Sequence, residues 1–584
     1  MPTLKELIPE RLSNLTAAES SLLDSATTGK LLNLQAGEPD VDNPANADNW
    51  GAERTIRAEF LRWICTDKKA SELIDARGIR IIGARVDGKL DFEGATVPHP
   101  LVLASCSIKD GIILLDARTR TINLHNTHTS HISGDMLTVD GALFLRNGFL
   151  ATGAVRLLGA KVNGGLDCSG GSFVNDNGDA LNADGIEAKG DIFLRKGFSA
   201  KGEVRLLGAK VGGNLDCSNG SFVNDNGNAL SADGIETKGN IFLNQGFRAK
   251  GKVRLIGAKV GGTLNCSGGS FVNENGDALC AQRMTVQDNF FWTLKDHPVG
   301  AVDLMHAKVG VLTDNKESWP GPGKLHIDGF EYGALAPDNT PKNAKDRLRW
   351  IELQLPPAET IPDAPDVITE PLQKKHAVKW IWIRSRKWLN NTWHNNSKSK
   401  PYGNFKNRPR CEFRPQPYEQ LAKVLKNMGH ESDSREVLIA KQNALSECGD
   451  ISNPRRLWYR ALGISMSHGY KPIRPILFIL FMAFIGFIIF FSANEHSFMT
   501  RSKLSIFKDN MHLYPDFNPF IYSLDTLIPF VDLHQENYWI PVYNNDHPYW
   551  SILIHMYHWF HIIIGWVATS LAAISLSGIV RKRE

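Results

Sequence analysis

The strongest constraint on the fold of this chain is a repeat of 49 residues. RLLGAKV begins at Arg156 and again at Arg205, and RLIGAKV begins at Arg254. Cys168, Cys217 and Cys266 keep the same period. So do Phe173, Phe222 and Phe271, and also Phe149, Phe198 and Phe247. Worn copies flank the array. RIIGARVDGKLDFEGA starts at Arg80, and in AVDLMHAKVG Asp303 falls 49 residues after Arg254. Self-similarity at a fixed period marks a stacked array whose atypical outer copies act as caps.

Each period holds two similar halves. AKVGGNLDCSNGSF is echoed about 25 residues later by GIETKGNIFLNQGF. Both alternate apolar and polar residues, which is strand periodicity. Glycines and Asn-Gly or Asp-Gly pairs supply corners with positive φ. A coil of ~25 residues with short strands and tight corners describes a parallel β-helix. Its coils stack at ~4.8 Å, so residues one coil apart form ladders. The expected fold is mostly β: a right-handed parallel β-helix over residues 76–333, built from a 49-residue double coil.

The repeat also disposes of the most site-like motif. Cys-Ser-x-Gly-Ser offers a thiol and hydroxyls, yet it recurs three times in one phase with no histidine in any copy. Alternation places Leu215 and Cys217 inside, where a free thiol behaves as a small hydrophobe. GAKVGG lacks the G-x-x-x-x-G-K-[ST] phosphate-loop pattern. From Arg80 to Glu317 there are 25 basic and 25 acidic residues, so no charge bias singles out a partner for the solenoid surface. The eight cysteines include no Cys-x-x-Cys pair, which argues against a zinc module. No catalytic residue, metal site or cofactor is expected.

Residues 1–75 read as a helical N-terminal cap, carried by TLKELIPERLSNL and ERTIRAEFLRWICTD. The exposed end of a β-helix needs such a cover. The N-terminus lacks the long apolar core of a signal peptide, and the free thiols suit a reducing compartment. Residues 334–415 form a connector, Pro-rich at first and then basic. Lys374 to Arg414 holds 12 Lys/Arg and one acidic residue, with tryptophans interleaved. Lys374, Lys375, Trp380, Trp382, Arg384, Arg386, Lys387 and Trp388 are candidates for an anionic lipid surface, where basic groups meet head groups and Trp sits at the interface. Nucleic acid is the competing partner for such a stretch, and the segments that follow favour the membrane instead. Residues 416–470 hold a helical hairpin closed by Gly429, then a basic juxtamembrane segment.

Residues 471–584 form the expected membrane domain. Segments 475–493 and 562–580 are each 19 residues without a charge, long enough to cross a bilayer. Arg455 to Arg474 carries five basic residues and no acidic one, whereas 495–548 carries three basic and seven acidic. The basic side faces the cytoplasm. Both termini and the β-helix are therefore expected in the cytoplasm, with two spans crossing the membrane. The intervening loop holds a short apolar segment, Phe517 to Val531, suited to re-entry. Phe520, Ser523, Thr526 and Leu527 match the F-x-x-S-x-x-T-L spacing of cation-channel pore helices, although IPFVDLHQ replaces the glycine-rich filter. Ser523, Asp525, Thr526, Asp532, His534 and Glu536 are the candidate pore or membrane-loop residues. His555, His558 and His561 recur every three residues and are weak metal candidates. The plainer reading makes them part of an interfacial belt with Tyr549, Trp550, Tyr557 and Trp559.

RTIRAEFLRW, the repeated RLLGAKVGGNLDC, YEQLAKVLKNMGHESDSREVLIAKQ and NPFIYSLDTLIPFVDLHQENYW cover nearly the whole chain. Through them it resembles a group of bacterial membrane proteins with pentapeptide-like repeats, often labelled membrane-associated oxidoreductases. The resemblance implies a redox activity, but it carries over no catalytic residue. No flavin, nicotinamide, iron–sulfur or haem motif accompanies it. The expected function is a non-enzymatic membrane scaffold, homo-oligomeric, with an unknown ligand or protein on the β-helix. An oligomeric pore lined by 517–536 is the alternative, and an oxidoreductase the second.

Overall fold

The computed structural model describes residues 3–337, 340–356, 413–448, 451–470, 473–502 and 514–577. Two compact units result, residues 1–358 with 416–434, and residues 359–415 with 435–584.

The first unit is a parallel β-solenoid of about 11 turns. Its core is visible in a single ladder of twelve apolar residues paired in register: Ile79, Leu101, Ile122, Leu143, Leu166, Ile192, Leu215, Ile241, Leu264, Phe290, Leu312 and Leu335. The step is not constant. It is 26 residues from Leu166 to Ile192 and 23 from Ile192 to Leu215, and these sum to the 49-residue period. Upstream, Leu101 to Ile122 and Ile122 to Leu143 take only 21. The long coils owe their extra residues to VNDNGDA and its copies, which leave the ladder between Val174 and Asp179. The same excursion recurs between Val223 and Asn228 and between Val272 and Asp277. Gly202 (φ +115°) lies beneath the first excursion. A Cβ there would stand 2.6 Å from the carbonyl oxygens of Asn175 and Gly178, so only glycine fits.

The two phenylalanine series of the sequence interleave into one column. Phe149, Phe173, Phe198, Phe222, Phe247, Phe271 and Trp292 stack with centroids 5.0–5.3 Å apart. The thiols of Cys168, Cys217 and Cys266 are fully buried, as read from the alternation. Burial pushes Cys168 and Cys217 well above the ordinary thiol range. Thiolate is the reactive form, so these groups are inert wall material.

Both open edges of the solenoid are covered. At the N-terminal end, Pro9 breaks the first segment into two short 3-10 turns, Leu4–Leu7 and Glu10–Leu12. The helices lie at Ala17–Thr28, with a Thr16/Glu19 capping box, and at Ala58–Thr66. The cap is not purely helical. Leu32–Asn33 and Thr55–Arg57 add strands to the two faces of the first coil. Buried Arg54 clamps them, pairing Asp42 at 2.9 Å and donating to the Gly83 carbonyl at 2.9 Å. At the other end, helix Ala344–Glu352 delivers Arg347, fully buried, to both oxygens of Asp314 at 2.9 and 2.5 Å. From helix Gln416–Asn427, the Gln416 and Gln420 amides donate to the Phe330 and Tyr332 carbonyls at 3.1 and 2.6 Å. Side-chain amides thus satisfy backbone acceptors that a further coil would have used.

The second unit holds two helices long and apolar enough to cross a membrane, Ile473–Glu495 and Pro548–Ile574. The latter belongs to a continuous helix, Pro548–Ser577. The helix that holds the start of the uncharged segment 562–580 thus begins 14 residues before it. His555, His558 and His561 lie within the helix, not at its outer start, because TyrTrpSer-IleLeuIle-HisMetTyr continues the helix through residues that lower the local hydropathy without breaking it. Lys374 to Trp388, the lipid-surface candidates, fall outside the described residues.

Candidate functional site between the two apolar helices

A short helix, Pro519–Leu527, lies against both long helices. Asn518 caps it, its carboxamide oxygen accepting from the N–H groups of Phe520 and Ile521 at 3.1 Å each. Pro519 suits the first turn, where its missing N–H costs no helix bond. Two glycines let this helix approach. A Cβ at Gly486 would lie 2.1 Å from Ser523 Oγ, and one at Gly565 would lie 1.9 Å from the Leu527 carbonyl oxygen. Small residues at such contacts let helix backbones meet closely.

The approach creates a buried polar contact among apolar neighbours. Ser523 and His561 are both fully buried. Ser523 Oγ donates to the Ala483 carbonyl at 2.8 Å. His561 Nε2 stands 3.1 Å from the Ser523 carbonyl and 3.2 Å from its Oγ, while Nδ1 stands 3.1 Å from Tyr557 Oη. A carbonyl only accepts, so Nε2 carries the proton and Nδ1 accepts from the Tyr557 hydroxyl. The neutral imidazole then has both nitrogens satisfied. Tyr557, read as part of an interfacial belt, is a hydrogen-bond partner of this site. Tyr522, also fully buried, stacks on His558 at a centroid distance of 6.0 Å.

The remaining candidates divide. Asp525 is buried and accepts from the backbone N–H groups of Leu533 at 2.5 Å and Glu536 at 2.9 Å. It ties the loop after the short helix back onto it. Thr526 is buried and donates to the Tyr522 carbonyl at 2.8 Å. Asp532 and His534 are exposed and pair with each other at 2.7 Å, whereas Ser523 and His561 are buried. Burial pushes the Glu536 carboxyl above its ordinary range, and Asp525 and Asp532 add to the rise. Of the three histidines, only His558 and His561 face the short helix. His555 Nδ1 donates to the Ser551 carbonyl at 2.8 Å. Among the described residues no group of three or more His, Cys, Asp or Glu side chains is placed to hold a metal ion. Gly486 and Gly565 were missed in the sequence, although a glycine in each apolar stretch was the available signal.

The fold and this contact define a parallel β-solenoid protein with a two-helix candidate membrane unit. No protein-family model matches the chain, and neither curated proteins nor solved structures give a match.

Proposed function

We propose that the chain is a membrane-anchored scaffold, with the solenoid displayed in the cytoplasm and the Pro548–Ser577 and Ile473–Glu495 helices embedded in the bilayer. One observation carries this reading. Only 28% of each candidate span is buried within the protein, and Leu480, Phe481, Phe484, Ile563 and Trp566 are each more than half exposed. A soluble core helix would bury such residues, and a large exposed apolar surface calls for lipid or a partner. The charge asymmetry around the spans supports a cytoplasmic solenoid.

The test is extraction and topology on the full chain. Alkaline carbonate should leave the protein in the membrane pellet. In a Cys411→Ser, Cys448→Ser background, a thiol from Asn545→Cys should react with an impermeant maleimide in cells with an opened outer membrane. One from Lys201→Cys should react only after inner-membrane lysis. Release by carbonate overturns the membrane reading, and the opposite labelling pattern overturns the orientation.

A pore is a second reading, supported by the packing of Pro519–Leu527 against both long helices. Reconstituted oligomers should conduct, and Asp532→Asn should change that conductance. Silent bilayers containing well-inserted oligomers reject it.

A further inference from the structure

We infer that helix Asn453–Met466 is an interfacial device that docks on anionic phospholipid. This rests on the membrane reading above. The helix is separate from the span that follows it. Ser467 and His468 both adopt left-handed backbone (φ +49° and +56°), which stops the helix before Ile473. Leu457 is 70% and Trp458 59% exposed, beside exposed Arg455 and Arg460. From Asn453 to Arg474 there are five basic residues and no acidic one. An apolar pair flanked by arginines, one turn from an exposed apolar helix, matches the boundary of an anionic leaflet. Trp supplies the amphipathic ring that settles at head-group depth.

The test uses the full chain in nanodiscs, with Cys411→Ser and Cys448→Ser. The six cysteines whose side chains the structure describes are all buried, so a fluorophore goes to an Asn453→Cys thiol, exposed one turn before Leu457, and Trp458 stays in place as the anchor. In discs containing phosphatidylglycerol the label should be shielded from iodide; in phosphatidylcholine alone it should be less so. Each arginine shifts the docked-to-free ratio about five-fold, equivalent to ~1 kcal/mol. Arg455→Glu with Arg460→Glu should therefore abolish shielding in anionic discs. A label open to iodide in both discs overturns the proposal. A label shielded in both, and indifferent to charge reversal, shows that protein covers the face and also overturns it. Carbonate extraction of the same variants reports separately on the spans, so failure of docking is distinguishable from failure of the membrane reading.

A second observation stands independently. The chain has six Asn-Gly pairs, and the solenoid places them in two settings. At Asn147, Asn163 and Asn219 the following glycine N–H is used, donating to the carbonyls of Gly170, Gly141 and Cys217 at 2.9, 2.7 and 3.0 Å. Asn177, Asn226 and Asn275 instead top the exposed excursions, within stretches that have no register partner in the next coil. We infer that these three are sites of spontaneous deamidation. The Gly178 nitrogen attacks the Asn177 side-chain carbonyl carbon and ammonia leaves. Water then opens the succinimide to aspartate or isoaspartate. The same step at Asn226 and Asn275 adds negative charge beside Asp176, Asp225 and Glu274, so the ridge grows acidic with age.

Mass spectrometry of native protein after incubation should show the amide-to-acid shift at these three positions and not at the other three. Gly178→Ala fits, since its Cβ would sit 3.4 Å from Asn175 Nδ2. It should suppress conversion at Asn177 alone. No conversion, or equal conversion at all six, overturns the inference.

Discussion

The solenoid and the two-helix unit solve the same packing problem with opposite materials. The solenoid interior is a set of apolar ladders in which every rung repeats its neighbour, with Phe149 to Trp292 in one column. No single residue there is special, because each does what its counterpart 49 residues on does. In the two-helix unit the decisive contacts occur once. Gly486 admits Ser523, Ser523 meets His561, and His561 meets Tyr557. Repetition distributes stability over many equivalent contacts, whereas a unique polar contact among apolar helices concentrates specificity at a point.

The comparison breaks first at the largest core elements. Phe222→Ala opens a cavity between Phe198 and Phe247 and should cost about 3–5 kcal/mol. Denaturant unfolding of the solenoid should report it, with the two-helix unit unchanged. Asp314→Ala should fall in the same range, about 3–5 kcal/mol, because it strands the buried Arg347 charge. A far smaller loss for Phe222→Leu, which fills most of the space, would show that volume alone, and not the aromatic column, sets the cost.

In the two-helix unit, Gly486→Ala forces a methyl group against Ser523 Oγ. Overpacking of this kind costs about 1–3 kcal/mol. The expected readout in detergent is a lowered unfolding temperature together with faster proteolysis of the 528–547 loop. Ser523→Ala should cost less, about 1 kcal/mol, since His561 Nε2 keeps the Ser523 carbonyl as its acceptor. If Ser523→Ala proved the worse of the two, the hydroxyl and not the close approach would be the organising element.

These differences also explain what was legible in the sequence. The solenoid announced itself because each coil restates the same pattern, so one alternation read at Leu215 and Cys217 was confirmed at every other rung. The 26- and 23-residue coils were blurred into one average, because Asn175 to Gly178 and their copies have no register partner and alternation is silent about excursions. The strands Leu32–Asn33 and Thr55–Arg57 carry no periodic signal at two and three residues; the neighbouring coil makes them strands. At the second unit, hydropathy marked both candidate spans but began the second inside its helix, since His and Tyr lower the average without ending a helix. Ser523 was chosen for its spacing to Thr526, yet its partner His561 is 38 residues away, and no local pattern encodes that contact.

The smallest effects separate buried from exposed charge. Glu19 is fully buried and accepts from the Arg57 guanidinium at 2.8 and 2.7 Å. Burial alone raises its carboxyl, but hydrogen bonds from Arg57 and Thr16 outweigh it and leave the group below its ordinary range. A carboxyl lowered in the folded state stabilises above its unfolded value and loses that contribution as pH falls through the folded one. The N-terminal cap should therefore loosen on acidification below about pH 4.3, the unfolded Glu value, and Glu19→Gln should remove that part of the pH dependence while weakening the cap at neutral pH. Hydrogen exchange of Ala17–Thr28 is the measurement. By contrast, the surface ladder Glu187, Lys210, Glu236 and Lys259 is ion-paired at 3.0 and 2.7 Å but open to water. Lys210→Ala should leave unfolding unchanged within error, because solvent screens exposed pairs. A measurable loss there would mean that stacked charges reinforce one another along the solenoid, as the phenylalanines do inside it.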